Sequence, residues 1–223
     1  MSVAARLVRT LTLPHRAMRN DAARLAAVLR NLEAGNRLPS APLLGAFDRS
    51  VALVQHHHRM EDNFVFPFVG KRVSSFSRSI ESLEEDHVDL EAALARVVSR
   101  LRLVWMGSSG SWCDSRHDRL MQDIDRLAAI LCAHLDREED ALSPALKELG
   151  EDHAQQLLIY VTRVGGIRAL ARTLPWIISN ADGTERRELR ESLPRPLLLV
   201  HNLSWGPRFA WQMRPLYALD GRD

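Results

Sequence analysis

Two stretches of the sequence carry the same pattern. His57-His58-Arg59-Met60-Glu61-Asp62-Asn63-Phe64-Val65-Phe66-Pro67 aligns with His134-Leu135-Asp136-Arg137-Glu138-Glu139-Asp140-Ala141-Leu142-Ser143-Pro144. Each reads His-x-x-x-Glu, then an acidic residue, then a polar one, with proline six places after the glutamate. An apolar residue, Val54 or Leu131, precedes each histidine by three. On a helix that spacing puts each histidine and its glutamate on the inward stripe. The segments upstream repeat as well. From His15, apolar residues follow at +3, +7, +10 and +14 (Met18, Ala22, Leu25, Leu29), and from His87 the same offsets give Leu90, Leu94, Val97 and Leu101. The chain therefore contains two similar halves, each a helix with one inward histidine followed by a helix with an inward His-x-x-x-Glu. Pairing them about a pseudo-twofold axis would gather four histidines and two glutamates in one core.

The periodicity around these motifs predicts four long amphipathic helices. The first begins at Pro14 and ends before Gly35, Pro39 and Pro42. The second carries Phe47, Val51, Val54, Glu61, Val65 and Phe68 on one face and closes at Gly70. The third runs from about Ser79 to about Trp105, and the Gly/Ser stretch Met106–Ser111 reads as a loop. The fourth runs from near Asp114 to Leu149 and Gly150. Strong helix formers dominate, while β-branched and aromatic residues are sparse, which argues against an all-β fold. The expected fold is all-α, with an up-down-up-down four-helix bundle over residues 1–150. Beyond it, Gly165-Gly166, Pro175, Asp182-Gly183, Pro194, Pro196, Pro207 and Pro215 punctuate shorter segments that hold Trp176, Trp205 and Trp211. Residues 151–223 read as a short-helix C-terminal extension packed on the bundle, because they are too apolar to stay disordered.

Carboxylates and imidazoles are expensive to bury in an apolar bundle. Bound metal supplies the compensating charge. His15, His57, Glu61, His87, His134 and Glu138 are the candidate ligands, and four imidazoles with two carboxylates suit two irons, zinc and manganese being alternatives on ligand type. A ferritin-type site needs Glu-x-x-His on two helices. Glu84-x-x-His87 is the one match on a core face, since Leu131 stands at that position before His134.

The order His, His-x-x-x-Glu, His, His-x-x-x-Glu over Met1–Gly150 resembles the haemerythrin-like (HHE cation-binding) family. The resemblance implies a four-helix bundle with a non-haem di-iron centre, its two iron ions joined by an oxo or hydroxo bridge. By position, Glu61 and Glu138 would bridge the irons, His15 and His57 would serve one, and His87 and His134 the other. The extension is similar to that of some actinobacterial members. The oxygen carriers of the family have a fifth histidine, in a His-x-x-x-His on the third helix. Here Leu83 and Glu91 flank His87 at those spacings. A site open at both irons would favour reaction with peroxide or O2, as in catalase-like decomposition and redox protection, with no catalytic groups beyond the ligands. The alternative is an O2, NO or redox sensor, or an iron-handling protein, without turnover.

Other residues read more plainly. His56 and His58 should point sideways from His57, His58 being the less favoured ligand because it gives only an i,i+3 pair with Glu61, and Glu91 should be solvated rather than a ligand. His117 lies 17 residues before His134, about 25 Å along the axis, and cannot share its site. His153 and His201 read as surface or packing residues, Cys132 as a small buried hydrophobe and Cys113 as a loop thiol. Tyr160 and Tyr217 could approach the metals only if the extension caps the bundle, and the tryptophans read as packing anchors. Arg186, Arg187 and Arg190 alternate with Glu185, Glu188 and Glu191, a pattern of solvated ion pairs. The net charge of +2 points to no nucleic acid. No apolar run reaches the roughly 20 residues that a bilayer needs. The two cysteines form no framework, and the first nine residues are too charged for a signal peptide. A cytoplasmic monomer or homodimer acting on H2O2, O2 or NO is expected.

Overall fold

A computed structural model of the chain describes residues 2–34, 40–106 and 114–218. Gly35, Pro39, the Gly/Ser stretch after Met106 and Cys113 lie outside the described residues. Those described are almost wholly helical, with no strand among them. The long helices are α1 (Val3–Ala34), α2 (Ala41–Met60), α5 (Ile80–Met106) and α6 (Asp114–Glu148). Between α2 and α5 lie a π-helical turn, Glu61–Val65, and two short helices, α3 (Phe66–Gly70) and α4 (Ser74–Ser77). The C-terminal part holds α7 (Glu151–Val164), α8 (Gly166–Asn180), α9 (Gly183–Ser192), α10 (Arg195–Val200), a second π turn at His201–Trp205, and α11 (Gly206–Tyr217).

Cross-helix pairs set the directions of the long helices. His15 with His57 and Asp21 with Ser50 run α1 against α2. Asp48 with Arg102 and Asp62 with His87 run α2 and its π turn against α5. Asp86 with His134 and Arg100 with Asp123 run α5 against α6. Glu139 with His15 and Asp125 with Arg30 close the ring between α6 and α1. Every neighbouring pair is antiparallel, as an up-down-up-down bundle requires.

Helix α1 begins at Val3, so Pro14 lies inside it and is not its start. Leu7 and Leu11 continue the apolar stripe N-terminally and are buried. Packing of that stripe outweighs the loss of one backbone hydrogen bond at the proline. Ser40 caps α2, its side chain accepting from the Leu43 N–H, with Pro42 in the first turn. At the other end of α2, Pro67 lacks an N–H and crowds the carbonyl of Asn63. The wider turn accommodates this, the Phe66 N–H reaching back five residues to the Glu61 carbonyl. The matching Pro144 sits within an unbroken α6, so the repeated proline does not impose a π turn by itself. Gly150, at φ 82° and ψ 152°, supplies the positive-φ residue between α6 and α7.

The apolar interior has two parts. One contains Leu7, Leu11, Val65, Phe66, Val69, Leu83, Leu142 and Leu146. The other contains Met18, Leu25, Leu53, Val54, Leu90, Leu94, Leu131 and Leu135. On all four helices the candidate ligands lie where one set gives way to the other. The C-terminal helices join both. Ala154 and Leu157 of α7 enter the first, while Trp176 of α8 and Phe209, Met213 and Leu216 of α11 enter the second.

A buried polar cluster reinforces the second junction. Asp21 accepts from Ser50 (2.9 Å), the Trp176 indole (3.0 Å), the Tyr217 hydroxyl (2.8 Å) and Arg24 (3.1 Å). Asn180 accepts from Arg24 at 2.6 Å and donates to Tyr217 at 3.0 Å. Tyr217 is thus engaged with Asp21 and Asn180, and Tyr160 is exposed with its ring edge against Phe64. Trp176 is a packing anchor, whereas Trp211 is exposed. On α9, Glu188 pairs with Arg9 and Glu185 with Arg16, both on α1. No helix is long and apolar enough to cross a membrane among the described residues.

Trp176→Ala removes a fully buried indole and one of the donors to Asp21. A loss of about 3–5 kcal/mol is expected, read by urea unfolding of purified protein. A variant as stable as the parent would show that the extension is not part of the core.

Candidate metal centre

The inward faces of the four long helices bring all six sequence-predicted ligands together. His15 comes from α1, His57 from the last turn of α2, Glu61 from the π turn, His87 from α5, and His134 and Glu138 from consecutive turns of α6. All six are buried. They form two groups. His15, His57, Glu61 and Glu138 each present a ligand atom within 4.8 Å of the others, and His87 and His134 do the same with a third imidazole, His58.

His58 is a correction to the expectation that it points sideways. Neighbouring residues on a helix lie about 100° apart, and the buried face of α2 is wide enough here for both. His57 turns towards His15 on α1, with Nε2 atoms 2.9 Å apart. His58 turns towards α5 and α6, stacking on His87 with ring centroids 4.0 Å apart. Glu91 is half-buried and in neither group. His56 is half-buried too, and His117 is buried but likewise in neither group. Cys132 is free and only half-buried.

The two carboxylates stand between the groups. Glu61 Oε1 is 2.8 Å from His57 Nε2 and 3.7 Å from His15 Nε2, while its Oε2 is 3.9 Å from His87 Nε2. Glu138 Oε2 is 3.6 Å from His15 Nε2 and 3.4 Å from His134 Nε2. All four carboxylate oxygens, Nε2 of His87 and His134, and both ring nitrogens of His58 are buried without a well-formed hydrogen bond. Each such group costs roughly 1–3 kcal/mol if nothing satisfies it. A metal ion is what an imidazole–carboxylate set of this kind accepts, so these residues fit the cations that the pattern implies.

The outer nitrogens are tied down. His15 Nδ1 lies 2.9 Å from Glu139 Oε1, itself held by Arg19 at 2.7 Å. His87 Nδ1 lies 2.7 Å from Asp62 Oδ1. His134 Nδ1 lies 3.4 Å from Asp86 Oδ2, which Arg137 holds at 2.7 Å. A carboxylate on Nδ1 fixes the tautomer and aims Nε2 at the metal position. Glu139 and Asp62 directly follow Glu138 and Glu61. Each reaches the lone histidine of the other half of the repeat, which explains why the acidic position recurs in the sequence. Asp86 has no counterpart, because Pro14 occupies the matching place before His15.

The charges are mutually dependent. Burial alone would lower the His15 imidazole, but Glu138, Glu139 and Glu61 outweigh it and raise it to about 10. Burial opposes ionisation of Glu61, yet His57 and His15 hold it well below the usual carboxylate range. Glu138 is raised, by burial and by repulsion from Glu61. Burial would lower His87, and the Asp62 hydrogen bond raises it. His58 is pushed down to about 2, by burial and by its neighbours His87 and His57, and so presents neutral nitrogens. The hydrogen bond from His15 is the main reason that Glu139 falls to about 2.

Fold and site together define an all-helical protein with a buried imidazole–carboxylate cluster that could hold metal ions. Residues 6–146 match the Hemerythrin HHE cation binding domain. The match spans more than half of the chain, and the chain belongs to this family, whose domains bind metal ions, typically iron. No curated protein and no solved structure matches it.

Two measurements follow. Glu139→Gln keeps the shape but weakens the hold on His15, and a fall in metal affinity of about 10–100-fold is expected. Unchanged affinity in a competition titration with a chelator would show that Glu139 does not orient His15. With His15 raised to about 10, the metal-free imidazole carries its extra proton at pH 7, and that proton must leave before Nε2 can ligate. Metal uptake should therefore release protons and tighten as pH rises from 6 to 8. Calorimetry in buffers of different ionisation enthalpy reads the release, and none at pH 7 would contradict the charge state.

Proposed function

We propose that this is a non-haem di-iron protein that reacts with peroxide or O2 and decomposes peroxide in the manner of a catalase. One observation carries the reading: two buried carboxylates lie between two groups of imidazoles, each within reach of both. That arrangement suits a pair of metal ions sharing ligands better than two separate ones. Two irons, when bound, supply the ferrous–ferric cycle that peroxide decomposition requires.

The chain's own part is to hold, exclude and neutralise. Glu61 and Glu138 would be shared by the irons, with His15 and His57 on one and His87 and His134 on the other. Glu139, Asp62 and Asp86 fix the rings from outside. The apolar layers around Leu11, Val65 and Leu142 on one side, and Met18, Val54 and Leu90 on the other, keep bulk water from the ligands. Glu139 is partly exposed and bonded to His15 Nδ1, so it is the group placed to pass a proton between solvent and the site.

A second reading, reversible O2 or NO binding without turnover, is favoured by the unequal number of imidazoles in the two groups. Iron-loaded protein assayed with an oxygen electrode separates the two. The expected result is two irons per chain and release of O2 from H2O2. Full iron occupancy without O2 release, together with a reversible spectral change on adding NO, would favour binding.

A further inference from the structure

The two halves of the repeat do not contribute equally. His15 and His57 stand on one side of the shared carboxylates, and His58, His87 and His134 on the other. His58 is only 1 % exposed. Its ring stacks on His87 at 4.0 Å and meets His134 edge-on at 5.6 Å between centroids. Neither of its nitrogens has a hydrogen-bond partner, and it offers a ligand atom within 4.8 Å of those of His87 and His134. Packing alone gives no reason to put an unsatisfied imidazole against two others. The repeat makes a control visible. After His134 the second half has Leu135, fully buried in the apolar core. Where one half carries an imidazole, the other carries a hydrocarbon.

We propose that His58 is a fifth imidazole ligand, which fills the metal position served by His87 and His134 and leaves the open coordination position at the metal served by His15 and His57. The inference rests on the binuclear reading of the site. The fifth ring comes from the residue beside His57 on α2 and not from α5, where Leu83 is buried among apolar residues and Glu91 is in neither group. With Glu61 and Glu138 common to both sides, one metal has three imidazoles and its neighbour two. A small anion or diatomic ligand would then enter at one metal only. His57 is the most accessible of these side chains, at 8 %.

Iron-57 Mössbauer spectroscopy of the diferric protein tests this, with azide as the probe ligand. Wild type should give two quadrupole doublets of equal area and bind one azide per chain. His58→Leu copies the residue that the other half already carries. It should retain both irons, bring the two doublets together and raise azide uptake towards two per chain. A single doublet in wild type, or a His58→Leu spectrum and azide uptake identical to wild type with both irons present, would overturn the inference. If His58→Leu does not fold, the wild-type doublets and azide stoichiometry decide. A wild-type chain that cannot hold a pair of irons overturns the binuclear reading itself and this inference with it. A pair of equivalent irons overturns only the asymmetry.

Discussion

Everything in this molecule is arranged around a polar layer buried between two apolar cores. A helical bundle ordinarily fills its interior with hydrocarbon, because an unsatisfied carboxylate or imidazole there opposes folding. Here Glu61 and Glu138 sit at the level where the apolar stripes of all four long helices are interrupted. The hydrophobic residues above and below are what keep the helices at the right distance and rotation. The layer in turn sets the register: α1 meets α2 at His15 and His57, α5 meets α6 at Asp86 and His134, and α6 meets α1 at Glu139 and His15.

The pseudo-twofold repeat organises the polar layer, and its departures from symmetry set the two sides apart. The symmetric parts are Glu61 and Glu138 and their acidic neighbours, Asp62 and Glu139, which cross over to the other half. The asymmetric parts are His58 against Leu135, Asp86 against Pro14, and a π turn before Pro67 against a continuous helix through Pro144. A centre with identical metals would treat an incoming ligand alike on both sides. In the proposed binuclear centre, three imidazoles on one side and two on the other would create a preferred side for an incoming ligand.

The helix-forming pattern and the inward histidines were legible in the sequence because both depend on spacing along one helix. His87, Leu90 and Leu94 recur on one face whatever α5 packs against. The same logic reaches Val54, His57 and Glu61. What depends on the relation between helices was not legible. His58 is one position from the expected stripe, and only the placement of α5 and α6 makes that position interior. Glu139 and Asp62 were visible as a recurring acidic residue, but their partners lie 124 and 25 residues away. Pro14 misplaced the start of α1, because a local helix-breaking rule yields to the burial of Leu7 and Leu11. The Asp21 cluster, which seats Trp176 and Tyr217, joins residues from four helices and left no pattern along the chain.

The central claim is that the polar layer is a binuclear iron centre. X-ray absorption at the iron edge of the loaded protein tests it most directly. The account predicts nitrogen and oxygen donors with imidazole scattering, and a second iron at no more than about 3.5–4 Å, the separation of two metals that share ligands. Iron with no metal neighbour, or iron without imidazole among its donors, would contradict it.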